Sequence, residues 1–116
     1  MTVKLAFLYN SLRTEGRSEL IIKVSVIIPV YNAESFLRPC LNSVISQNYK
    51  DSEIILIENG SEDGSRTICE EYAERFENIR IITETQRGTA MARQRGLDVC
   101  KGEAVVFVDA DDVLPS

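Results

Sequence analysis

The chain has 116 residues, 44% of them apolar and 27% charged, with a net charge of −5 and no histidine. That length and apolar content suffice for one domain with a buried core, and an acidic balance without a basic stripe excludes an electrostatic nucleic-acid binder. The absence of histidine excludes Ser-His-Asp and Cys-His nucleophilic catalysis and leaves acid–base work to carboxylates, Tyr, Lys or Cys.

Residues 1–23 stand apart as an N-terminal extension. "VKLAFLYNSL" reads as an extra strand or a short helix and "RTEGRS" as a linker. No small-residue cleavage site follows a long apolar core, so this is not read as a signal peptide. No apolar run approaches the roughly 20 residues needed to span a bilayer. From Val24 onward two kinds of segment alternate. "VSVIIPV" (24–30), "EIILIE" (53–58), "IRIITE" (79–84) and "AVVFVD" (104–109) are short, β-branched and bounded by turn residues. Their nearly continuous apolarity predicts strands of a sheet covered on both faces.

Helical periodicity fills the gaps. Phe36, Leu37, Cys40, Leu41, Val44 and Ile45 share one face, as do Ile68, Tyr72 and Phe76; Met91, Ala92, Val99 and Cys100 fit a third helix. Ser61, Asp63 and Ser65 are candidate N-caps for the second. Pro39 requires the first helix to start near Phe36 or to kink. The order β-α-β-α-β-α-β predicts a Rossmann-like α/β fold of three layers, α/β/α, with a parallel sheet and right-handed crossovers. Ligands of such sheets bind outside the carboxyl ends of the strands, where strand order reverses.

The first strand end carries Pro29 and Tyr31, the tyrosine suited either to stacking on a flat ring or to packing on the first helix. The second carries Glu58 and Asn59, an acceptor and an amide able to read the edge of a base. Asn59, Ser61, Asp63, Gly64 and Glu70 also fall at calcium-loop spacing, but a calcium loop follows a helix and this one follows a strand, so that reading is set aside. The third leads through Arg87 and Gly88 into a helix bearing Arg93 and Arg95; a helix N-terminus with arginine suits a diphosphate. The fourth ends in Asp109, Asp111 and Asp112. Such carboxylates are costly to hold together without a cation and suit Mg²⁺ or Mn²⁺; a solvated acidic turn is the plainer alternative. Cys40, Cys69 and Cys100 lie about thirty residues apart, far from zinc-ligand spacing, and read as small buried thiols of a reducing cytoplasm.

Taken together, "VSVIIPVYNAESFLRPCLNSVISQ", "EIILIENGSEDGS", "RGTAMARQRGLDVCKGE" and "VVFVDADD" resemble, in order, the N-terminal, nucleotide-binding half of family 2 glycosyltransferases, which have the GT-A fold. Residues 24–116 match as a partial GT-A nucleotide-sugar-binding domain. The resemblance implies a UDP- or GDP-linked sugar donor, a saccharide or lipid-linked acceptor, Mg²⁺ or Mn²⁺, and transfer with inversion. It places Pro29, Tyr31, Glu58 and Asn59 at the base, and Arg93 in a motif where Gln94 departs from the usual Asn. Asp109 falls near the ribose and Asp111 at metal and diphosphate, both as candidate metal ligands within the D-x-D "DAD". Glu58-Asn59 departs from the family's usual Asp-Asp. The catalytic base is expected in the later half of the family's domain, so the chain reads as truncated before acceptor site and base. It is expected in the cytoplasm, at the inner face of a membrane in the complete protein.

Two other readings compete. One is a non-catalytic nucleotide- or metal-binding or assembly module. The other is a phospho-acceptor receiver domain, which wants an acidic pair after the first strand, where this chain has Pro29-Val30-Tyr31. An edge strand as apolar as "AVVFVD" further suggests a homo-oligomer in which residues 1–22 take part.

Overall fold

The computed structural model describes residues 22–115, so the N-terminal extension and its expected part in assembly fall almost wholly outside the described residues. The elements run β1 (Val24–Val30), α1 (Glu34–Ser46), β2 (Ser52–Glu58), α2 (Ser65–Arg75), β3 (Ile79–Thr83), α3 (Thr89–Val99) and β4 (Ala104–Phe107). The strands form one parallel sheet in the order β3-β2-β1-β4. This is the expected Rossmann-like α/β/α arrangement, with the seven elements expected from Val24 onward all present in the expected order.

Alternation along β1 divides the core. Val24, Val26, Ile28 and Val30 join Leu37, Cys40, Leu41 and Val44 of α1 and Ile68, Cys69 and Tyr72 of α2 on one face. Ile27 turns to the other face and meets Ile55, Ile57 and Ala92 beneath α3. Both faces of the central strands are therefore covered, which explains their nearly continuous apolar runs. Helix α3 lies close: a Cβ built on Gly96 would stand 2.4 Å from Ile27 Cγ2.

Helix α1 begins at Glu34, two residues before the start that Pro39 suggested. Pro39 and Ser35, whose carbonyl loses its partner four residues on, are both exposed, so the cost falls on a group that water can reach. Phe36, expected on the buried face, is 55% exposed. The N-termini of α1 and α2 cap one another across the two loops. The Ala33 and Glu34 amides donate to Ser65 Oγ and Asp63 Oδ2, while the Gly64 amide donates to Glu34 Oε1. Of the three N-cap candidates, none is the N-cap of its own helix: Gly64 occupies that position. A Cβ there would approach the Glu34 carboxylate to 2.8 Å.

Strand β4 stops at Phe107, two residues short of expectation. The chain then leaves the sheet and crosses to α1, where Leu114 is buried. The outer edge of β4 has no strand partner among the described residues. No described helix is long and apolar enough to cross a membrane.

Candidate functional site

The early departure of β4 opens the site. Strand β1 pairs with β4 only as far as Ile27↔Phe107, yet runs on beside β2 to Val30↔Glu58. In a parallel strand the N–H and C=O of a residue point to the same neighbour, alternating along the chain. Val108 N donates to Ile27 O, and Asn59 N to Val30 O. Odd residues of β1 therefore face β4 and even ones face β2. Pro29 is odd, so its missing N–H falls on the side that β4 has already left, and no ladder bond is lost. The gap is a pocket of about 450 Å³ lined by Pro29, Tyr31, Phe36, Asn59, Thr89, Asp109 and Asp111, among others. It lies where strand order reverses about β1, as the parallel-sheet rule requires.

Asp109, Asp111 and Asp112 form the acidic wall, their carboxylate oxygens within 4.8 Å of one another. Helix α1 fixes this turn from below. Cys40 Sγ lies 3.5 Å from Asp109 O, Ser43 Oγ accepts from Leu114 N at 2.9 Å, and Gln47 Nε2 donates to Pro115 O at 2.8 Å. Arg93 reaches over from α3 to Asp109 Oδ1 at 3.3 Å. One guanidinium beside three carboxylates leaves the group short of cations, and hard carboxylate oxygens suit Mg²⁺ or Mn²⁺. The donor set thus fits such an ion. Asp112, which the sequence reading did not name as a ligand, belongs to the cluster, although Asp109 and Asp111 alone of the three line the pocket.

The cysteines differ from the expectation of three buried thiols. Cys40 and Cys69 are buried and Cys100 is only partly so; all three are free. Burial, reinforced by the charges of Asp112, Asp111 and Asp109, pushes the Cys40 thiol up to about 12. Burial does the same to Cys69, also to about 12. Alkylation of the native chain at pH 8 is expected to label Cys100 first, with Cys40 and Cys69 reacting only on unfolding, because the thiolate is the reactive form. Peptide mapping after a short iodoacetamide pulse checks this; early label on Cys40 would show that the acidic turn opens.

Asn59 lines the pocket while Glu58, buried at the end of β2, lines neither cavity, and the polar atoms of both serve the protein. Glu58 Oε1 accepts from the amides of Gly60 and Ser61, and Oε2 from the Ser61 hydroxyl. Asn59 Nδ2 donates to Glu84 O and Gln86 O, and its Oδ1 accepts from Gly88 N. The free amide edge expected for reading a base is thus already engaged. The calcium spacing dissolves as well: Asp63 accepts from the Ser65 and Glu34 amides, and Glu70 pairs with Arg66.

Tyr31 is half-exposed, and the Arg87 guanidinium lies 3.7 Å from its ring centroid, a cation–π contact at close range. A second concavity, lined by Tyr31, Asn59, Arg87, Gly88 and Thr89, adjoins the first. The three arginines read as one basic group therefore part: Arg87 serves Tyr31, Arg93 serves Asp109, and Arg95 is exposed and lines neither cavity. Thr89, which lines both cavities, lay in the quoted motif, but nothing in its type distinguished it from an ordinary surface residue.

Comparison with known proteins agrees with this fold. Over 90 residues the chain is 46% identical to the glycosyltransferase GlyA of Streptococcus pneumoniae, covering 78% of this chain and 13% of GlyA. Its backbone superposes on S. aureus TarS (residues 1–349) in complex with UDP with a TM-score of 0.72 and 31% identity, over 79% of this chain and 28% of that one. A mannosyltransferase from Pyrobaculum calidifontis, solved with GDP-Man and Mn²⁺, gives a TM-score of 0.77 at 26% identity, over 96% of this chain and 36% of its own. The chain thus spans only a minor part of the relatives it matches. The solved neighbours have the GT-A fold, and the parallel sheet with its flanking helices described above is part of that fold. With residues 25–116 matching the model of glycosyl transferase family 2, the chain belongs to that family.

Proposed function

We propose that this domain binds the donor of an inverting glycosyltransferase, a UDP- or GDP-linked sugar, for transfer to a saccharide or lipid-linked acceptor. The observation that carries the reading is the pocket itself: an aromatic wall at the end of β1 faces an acidic wall at the end of β4. Tyr31 offers a ring to the base, and Pro29 shapes the floor beside it. Asp109, with Asp111 and Asp112 next to it, would hold Mg²⁺ or Mn²⁺, which when bound neutralises diphosphate charge. Arg93 keeps Asp109 oriented. Glu58 and Asn59 act from behind, by shaping the loops around the base. The general base, on the family resemblance, is a carboxylate in the part of the relatives that this chain does not match. Three free cysteines support a cytoplasmic setting.

Titration calorimetry of the chain with UDP and GDP, with and without Mn²⁺, tests the reading. Binding is expected only with the divalent ion, because three carboxylates and a diphosphate otherwise repel. Asp111→Asn is expected to weaken it by on the order of tenfold, the scale of one charge-assisted contact. Asp112→Asn should weaken it less, since Asp112 does not line the pocket. Equal affinity after chelation would remove the metal role. A non-catalytic module remains the second reading; it is favoured if the complete protein binds donor yet transfers no sugar.

A further inference from the structure

Asn59 is 4% exposed and makes three side-chain hydrogen bonds, all to one loop. Its Nδ2 donates to Glu84 O and to Gln86 O, each at 2.8 Å, and its Oδ1 accepts from Gly88 N at 3.0 Å. Its own backbone is anchored in turn, since Asn59 N donates to Val30 O at 2.9 Å, the residue before Tyr31. The two residues flanking Arg87, namely Gln86 and Gly88, are thus both pinned by one carboxamide. Arg87 between them lies 3.7 Å over the Tyr31 ring. Gly88 takes a φ of +122°, a conformation that side chains with a Cβ rarely reach, so the loop's path into α3 is held at a strained-for-others point.

We propose that Asn59 is a positioning residue: its carboxamide braces the β3–α3 loop so that Arg87 rests on Tyr31 at the mouth of the pocket. The occupant it prepares for is the nucleoside diphosphate, a statement that rests on the function proposed above. The chemistry demands a carboxamide. Two carbonyls need a two-proton donor and one amide needs an acceptor, and among side chains of this length only asparagine offers both. Aspartate has the same shape but would set a carboxylate oxygen against Glu84 O and Gln86 O. It would keep the Gly88 bond and lose the other two. The brace also spends the group that a base would otherwise meet, so recognition there passes from Asn59 to what it holds.

The experiment compares wild type with Asn59→Asp, Arg87→Ala and the double variant, each kept well below its unfolding temperature. Ring current from Tyr31 should shift the Arg87 side-chain protons upfield in wild type, with Tyr31→Leu as the assignment control. Asn59→Asp is expected to abolish that shift without any nucleotide present, and to weaken binding of UDP or GDP with Mg²⁺ about tenfold, roughly one lost pair of net hydrogen bonds. Arg87→Ala should weaken binding similarly, and the double variant no further. A preserved shift in Asn59→Asp overturns the brace, as does full additivity of the two losses. A residue that served stability alone would lower the unfolding midpoint and leave the shift in place. If wild type binds neither nucleotide, the donor reading fails, while the ring-current comparison still decides whether Asn59 holds the loop.

Discussion

Replacing Gly96 with alanine is expected to destabilise the domain, against the usual preference of helices for alanine. In a helix interior that exchange gains about 0.8–1 kcal/mol. Here the added methyl would stand 2.4 Å from Ile27 Cγ2 and 3.0 Å from its Cδ1. Ile27 is fully buried in the centre of β1, and its face is closed by Ile55, Ile57 and Ala92, so it has little room to yield. Overpacking of such a site costs about 1–3 kcal/mol, which outweighs the propensity gain, and valine should cost more. The measurement is urea unfolding of wild type, Gly96→Ala, Ile27→Ala and the pair. Ile27→Ala alone should cost about 2–5 kcal/mol. In that background the space beside residue 96 is open, so Gly96→Ala should turn neutral or stabilising. Simple additivity would mean that α3 does not lie this close to β1.

That contact also shows where the sequence ran out. Apolar periodicity is carried mostly by large side chains, and Met91, Ala92, Val99 and Cys100 marked the third helix. Of these only Ala92 is buried; Met91 is exposed and Val99 and Cys100 are half-buried, while the other buried residue of α3 is Gly96. A helix that packs tightly on a sheet turns its smallest residues inward, and a glycine leaves no trace in a hydrophobic pattern. The strands were legible for the opposite reason. Covered on both faces, the central strands are mostly apolar, and their order dictated the parallel sheet. The carboxylates of Asp109 and Asp111 drew notice because they follow a buried strand directly, although a solvated acidic turn would read the same way. That the Asn59 carboxamide is already engaged was not legible, because sequence shows a side chain's chemistry and not who already uses it. The loop it holds lies 25 to 29 positions on. Phe36 was misplaced because periodicity defines a face, while the width of that face is set by how β4 and its following turn settle on α1.

Acidification should weaken the domain at a place remote from the pocket. Glu53, at the start of β2, is buried. Its Oε2 accepts from Ser25 Oγ and from Lys101 N, each at 2.6 Å, and its Oε1 lies 3.4 Å from Arg80. The Ser25 oxygen accepts in turn from Gly102 N, where a Cβ would stand 2.5 Å from that same oxygen. One carboxylate thus ties β1 and β2 to the α3–β4 connection and, through Arg80, to β3. Burial by itself would raise its pKa. The Ser25 hydroxyl, the Lys101 amide and the charges of Arg80 and Lys23 outweigh burial and hold it below the ordinary glutamate value of 4.5. The folded state therefore binds fewer protons here than the unfolded chain does. Its stabilisation is complete above the ordinary value and is lost as pH falls below 4.5 and through the lowered one. Asp63, held low chiefly by the Ser65 hydroxyl, and Glu71, held low by Arg38, slope the same way, so a difference measurement is needed. Glu53→Gln should cost about 1.5–3 kcal/mol at pH 7, the worth of hydrogen bonds to a charged group. The gap between the two proteins in urea unfolding should then narrow steadily from pH 5 to pH 3. Parallel curves over that range would show that Glu53 titrates alike in both states, and that this knot of hydrogen bonds is not what fastens α3 and β4 to the sheet.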